Sequence, residues 1–226
     1  MRDFRAAAFA CARTAARLGR MANTAFLQSL PVERRLALSY APRSAHMLWL
    51  GLFALDARLA GIVRSAREPA LAQIKLAWWR DELGKPAADR RRGEPLLQLL
   101  QPWGDEAAML GRLADGWEIL LGDQPLSDRE TEEFAGSRAA ACLGLARRMG
   151  LSETGIAEAA RGWALAEIAQ AADAPSKQSL PRLRLRREMR PLQVLYALAV
   201  RSRGTNEFPG RKMAMLAAMR VGLLGI

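Results

Sequence analysis

Apolar residues along this chain fall into stripes at helical spacing. Between Met47 and Val63, the residues Leu48, Leu52, Leu55, Leu59 and Ile62 recur at intervals of four, three, four and three. That spacing puts them on one face of a helix. Proline and glycine punctuate such segments. A helix is predicted from about Ser29 to Ala41, with Pro31 in its first turn and Glu33 favoured there by the helix dipole. A second runs from Pro42 to about Ala66. Glu68-Pro69 opens a third, closed by Gly84 and Pro86. Residues 84–95 form a loop with a basic centre, and a short helix follows over 95–101. Further helices are predicted over 105–121, over 152–172 and over 191–202. Ser127-Asp-Arg-Glu130 is a capping box that starts another, ending near Gly150. A last helix begins at Pro209. Alternating Val/Ile/Thr runs are missing, so no strand is predicted. The expected fold class is all-α, a single bundle of eight or nine helices. The loop over 175–181 is too short to separate two domains.

Composition agrees with a packed globular protein: half of the 226 residues are hydrophobic and a quarter are charged. Cys11 and Cys142 lie far apart in unlike contexts. Each reads as a small buried hydrophobe in a reducing, cytoplasmic setting. No apolar run reaches the roughly 18 residues that suggest a membrane span. The best candidate, Met47–Val63, is interrupted by Asp56 and Arg58.

Charge changes the picture at the ends. Of the net +11, residues 1–20 contribute five Arg against one Asp, and residues 182–226 contribute nine Arg and one Lys against two Glu. The body between them is near neutral. Basic ends suit an anionic membrane surface, an acidic protein partner or nucleic acid, and equally a set of solvated helix surfaces. Nucleic acid is the weakest of the binding readings, because the Arg182–Arg190 run lacks interleaved aromatics for base stacking. The first twenty residues are Arg-rich, Ala-rich and nearly acid-free. Three readings stay open for them: an organelle transit peptide, a frayed helix, or an over-extended start ahead of Met21. The domain proper is expected over 21–226.

The order of motifs carries a resemblance. A helix over 42–66, the Glu68-Pro69 turn, and a helix ending Trp78-Trp79-Arg80-Asp81 resemble the squalene/phytoene synthase family, from about Leu27 to Ala199. The resemblance implies an isoprenoid-synthase-like helical fold. In active members it implies head-to-head joining of two prenyl diphosphates at an Mg²⁺ site. Such a site needs carboxylates from facing helices, since Mg²⁺ must offset a dense departing anion. Here Ala60, Gly61 and Arg64 stand where the first aspartate motif would lie. In the second, Gly162, Ala164 and Asp173 are kept, as is Leu180-Pro181. Ala166, Ala169, Ala172 and Lys177 replace the rest. The complex I assembly factor branch of the family, which also lacks full aspartate motifs, is more similar over Leu52–Ile62 and Glu68–Arg80. The resemblance therefore implies a divergent, non-catalytic binding or assembly protein with no cofactor. Its expected partner is a protein, a membrane surface, or an isoprenoid or lipid ligand, placing it in the cytoplasm or peripheral to a membrane.

Individual residues keep two readings each. A transferase with a rearranged Mg²⁺ site would use Asp56, Glu167 and Asp173, which must then converge on one cavity. Asp56 is also expected as a buried residue paired with an arginine such as Arg43 or Arg80. Phe53, Trp78, Trp79 and Trp163 are candidate walls for an isoprenoid chain, with core packing as the alternative. Arg43, Arg80, Arg184 and Arg187 are candidate anion contacts. Asp128, Glu130, Glu132 and Glu133 read as first-turn acids rather than a metal site. His46, the single histidine, reads as structural. No Cys/His metal spacing or phosphate-cradling glycine loop is present.

Overall fold

The computed structural model describes residues 21–172 and 183–201. Among these it contains helices and turns and no strand. The helices are α1 (21–29), then α2 (Val32–Ser39), α3 (Arg43–Arg64), α4 (Pro69–Gly84), α5 (Pro95–Leu99), α6 (Ala107–Ile119), α7 (Asp128–Arg148), α8 (Ile156–Ala171) and α9 (Arg190–Arg201). Short 3₁₀ turns span Gln101–Glu106 and Arg187–Met189. The all-α bundle expected from the spacing is the observed architecture. The predicted helix at Pro209 and the basic segment 1–20 lie outside the described residues, as do Asp173, Lys177 and Leu180-Pro181.

Local chemistry sets the boundaries. Pro31 and Pro42 cap α2 and α3 rather than sitting inside the first turn. Their ψ angles of 152° and 155° are extended, so α3 starts one residue after Pro42, and α2 starts at Val32 while the expected start, Ser29, closes α1. Pro69 occupies the first turn of α4 as expected. The Ser127–Glu130 capping box is complete: each side chain meets the other residue's backbone N–H. The helix expected over 152–172 begins only at Ile156, because Gly155 sits at φ 73°, a left-handed conformation that glycine adopts without strain.

α3 is the central helix. Its residues from Ala45 to Ala60 are buried on several sides, with Trp49, Phe53, Leu55 and Leu59 wholly enclosed. By length and composition it could cross a membrane, yet 61% of its apolar window is buried inside the bundle. An all-round apolar helix of this kind is a core helix. Around it α6 packs on α4 and α7, α7 on α8, α8 on α9, and α9 on α2. Two indoles tie α3 to its surroundings: Trp103 Nε1 donates to the Leu48 carbonyl (3.2 Å) and Trp49 Nε1 to that of Glu188 (2.8 Å). The α6–α7 contact is close enough to exclude side chains. A Cβ at Gly116 would overlap Ser137, and one at Gly144 would stand 2.6 Å from Met109 Cβ.

Candidate functional site

The bundle buries three charges where a helical core is ordinarily apolar, and a fourth joins them from the edge. Asp56, from the middle of α3, is fully buried. Arg34 of α2 and Arg138 of α7 are 5% and 1% exposed. Glu167 of α8 completes the set, with 37% of its side chain exposed. Arg34 Nη2 lies 2.6 Å from Asp56 Oδ2 and 3.3 Å from Glu167 Oε1. Arg138 Nη2 lies 3.2 Å from Asp56 Oδ2, and its Nη1 donates to Glu167 Oε2 at 2.6 Å. Trp117 Nε1, from α6, donates to Asp56 Oδ1 at 2.6 Å. Two acids and two guanidiniums alternate, so the cluster is neutral and joins α2, α3, α6, α7 and α8.

Aromatic faces enclose it. The Arg138 guanidinium carbon stands 4.4 Å from the Trp163 ring centroid and 5.0 Å from that of Phe134. The Arg34 guanidinium carbon lies 5.5 Å from the same Trp163 centroid. Trp163 is thus shared by both cations, which favours charge in a dry setting. Burial works against ionising Glu167, but the two guanidiniums outweigh it and hold the carboxyl at about 2. Burial likewise opposes the Arg138 charge, and Asp56 and Glu167 raise its pKa above the ordinary value all the same. Cys142, buried nearby, has its thiol pushed up to about 12 by desolvation, so it is unreactive at neutral pH.

A cleft of about 300 Å³ opens beside the cluster between α2, α8 and α9. Glu33 and Arg34 of α2, Trp163 and Glu167 of α8, and Leu195 and Leu198 of α9 line it. This volume is at the lower end for small-molecule sites, about 300–1,000 Å³.

The structure brings together only part of the sequence-derived set. Asp56 and Glu167 meet through shared arginines. The partners of Asp56 are Arg34 and Arg138, not Arg43 or Arg80. Arg43 is exposed at the start of α3, and Arg80 is engaged by Asp115 (2.6 Å) and Glu118 (3.4 Å) of α6. Of the four candidate pocket aromatics, Trp163 lines the cleft. Phe53 is fully enclosed against Trp49 and Trp163, and Trp79 is core at 4% exposure, because the stripe Leu76, Trp79, Leu83 faces inward. Trp78 is half-buried: its ring packs edge-on against Trp79 (centroids 4.9 Å apart) beside the core, and it also lines a depression with Arg91, Arg92 and Glu94. Arg184 and Arg187 are exposed. Three of the four acids of α7 are used locally: Glu130 in the capping box, Glu132 on Arg161, Glu133 on Arg129 at 3.8 Å. His46 is half-buried near the start of α3.

Sequence reasoning missed Arg34 and Arg138, the two residues that define the site. The signal was present. Arg138 stands four residues after Phe134 and four before Cys142, on the buried stripe of α7, and Arg34 shares a face with Ala37 and Leu38.

Mg²⁺ does not fit this centre. Each of the four carboxylate oxygens of Asp56 and Glu167 already accepts from Arg34, Arg138 or Trp117. A dication would have to displace two guanidiniums and bear their repulsion. Among the described residues no group of three His, Cys, Asp or Glu side chains converges for a metal. What the arrangement does is fix five helices in one relation.

The fold and site therefore define a helical bundle with an internally neutralised polar centre. Compared with protein-family models, curated proteins and solved structures, the chain matches none.

Proposed function

We propose that the protein is a divergent, non-catalytic member of the squalene/phytoene synthase-like bundles, serving as a binding or assembly protein. One observation supports this above the others: the acids a diphosphate-binding metal site would need are consumed by Arg34 and Arg138. Replacement of the motif positions by Ala60, Gly61 and Arg64 points the same way. The competing reading, a transferase with a rearranged Mg²⁺ site on Asp56, Glu167 and Asp173, requires the first two to release their arginines.

The test is incubation of the full chain with farnesyl or geranylgeranyl diphosphate and Mg²⁺. Diphosphate release is expected to stay at background, and the unfolding temperature to show no Mg²⁺-dependent rise with substrate. Release above background that disappears in Glu167→Gln would overturn the reading and favour the transferase.

A further inference from the structure

We propose that the cleft between α2, α8 and α9 binds an apolar α-amino acid. The proposal rests on the reading of the chain as a binding protein and names the class of ligand held. The cleft is walled by buried residues. Trp163, Ala166, Leu195 and Leu198 line it, each at most 8% exposed, and Arg34 joins them at 5%. A space of about 300 Å³ suits a small molecule with an apolar body.

The polar groups of the cleft are only partly used. Arg34 makes its bonds to Asp56 and Glu167 through Nη2 alone. Among the described residues its Nη1 and Nε meet no acceptor, and neither does the indole N–H of Trp163. The indoles of Trp49, Trp103 and Trp117, by contrast, donate at 2.8, 3.2 and 2.6 Å. The unpartnered nitrogens sealed from solvent belong to Arg90 and Arg138. Those of Arg34 and Trp163 are therefore open, and the cleft is the space that both residues line. A buried N–H without an acceptor is destabilising, and a ligand oxygen would supply one. Glu33, the half-buried neighbour of Arg34, lines the same cleft and has no cation partner among the described residues.

Charge then selects the ligand. The lining sets two carboxylates, Glu33 and Glu167, against Arg34, while Asp56 beneath is also balanced by Arg138. A simple carboxylate would accept from Arg34 and Trp163 but would stand near an unneutralised Glu33. A simple amine would pair with Glu33 but would face Arg34 and leave the N–H groups unmet. A zwitterion satisfies both sets. Its carboxylate accepts from Arg34 and Trp163, its ammonium pairs with Glu33, and its side chain covers Leu195 and Leu198. Glu33 and Arg34 are consecutive on α2 and share one small cleft, so the two ligand charges must lie close together, as they do on a single α-carbon.

The experiment is calorimetric titration of the full chain with L-leucine and with three molecules that each lack one part of it. These are 4-methylpentanoate without the ammonium, 3-methylbutylamine without the carboxylate, and glycine without the side chain. Leucine is expected to bind, and each of the three to bind weaker by about tenfold or more. Glu33→Gln is expected to weaken leucine by about tenfold and to leave 4-methylpentanoate unweakened. Trp163→Phe keeps a ring, removes the N–H, and is expected to weaken leucine as well. Should that variant fold poorly, Glu33→Gln carries the comparison alone. Absence of leucine binding at millimolar concentration overturns the proposal. So does equal binding of 4-methylpentanoate or 3-methylbutylamine, which would assign the cleft to a simple acid or amine. Unchanged leucine binding by Glu33→Gln overturns it too. Each of these results leaves the non-catalytic reading in place. Prenyl transfer, measured separately, would overturn that reading and leave the amino-acid site standing.

Discussion

Asp56→Asn is the sharpest test of the polar centre. The substitution keeps the volume of the side chain and an oxygen to accept the Trp117 indole N–H, so no cavity and no lost indole bond accompany it. It removes one negative charge from a neutral set of four. Arg34 and Arg138, 5% and 1% exposed, then share Glu167 alone. Breaking a buried pair by removing one partner costs about 3–5 kcal/mol. For a chain of this size each kcal/mol lowers the melting temperature by about 2–4 °C, so a drop of roughly 6–20 °C is expected. The assay is thermal unfolding followed by circular dichroism at pH 7, on a cycle of Asp56→Asn, Arg138→Met and the double variant. Contacting residues couple by up to about 3 kcal/mol, and the double variant is expected to lose clearly less than the sum of the singles. A melting temperature for Asp56→Asn within about 3 °C of wild type, or strict additivity, would refute the claim that Arg34, Asp56 and Arg138 are dry and mutually dependent.

Two further outcomes follow from the same geometry. The Glu167 carboxyl is held at about 2, below its unfolded range near 4.3, so its contribution is present above about pH 4.3 and fades as pH falls toward 2. Glu167→Gln should therefore lose less stability than wild type between pH 7 and pH 3, and parallel curves would refute this assignment. Gly116→Ala adds a helix-favoured residue worth about 1 kcal/mol, but its Cβ would overlap Ser137 on α7. Overpacking of about 1–3 kcal/mol should win, lowering the melting temperature by a few degrees, and a rise would show that α7 moves away freely.

Much of the bundle was legible because helices follow local rules. The apolar stripe of α3, the Glu68-Pro69 start of α4 and the Ser127 capping box depend on residues within one or two turns of each other. Trp78 and Trp79 read as a pair from the sequence, although only Trp79 shares a stripe with Leu76 and Leu83. The partners of Asp56 were not legible. Arg138 is 82 residues away, and nothing in the local pattern around Asp56 selects it. The strong arginine bias of the chain also hid the informative arginines, because an Arg on an apolar stripe looks ordinary among 34 Lys and Arg. The late start of α8 rested on the backbone of Gly155, a conformation no stripe reveals.

The four-charge centre also constrains assembly. Arg138 and Glu167 are 29 residues apart and meet when α7 and α8 pair, whereas Arg34 and Glu167 are 133 apart and meet only when α2 returns across the bundle. The surrounding helices are rich in Leu and Ala, and such surfaces pack acceptably in many relative orders. The charges do not. Any arrangement that leaves out α2 or α3, or shifts one of them by a turn, strands an unpaired ion inside at a cost of several kcal/mol. The pairs among Arg34, Asp56, Arg138 and Glu167 therefore discriminate between the native order of helices and its near neighbours, a selectivity that apolar packing alone does not supply.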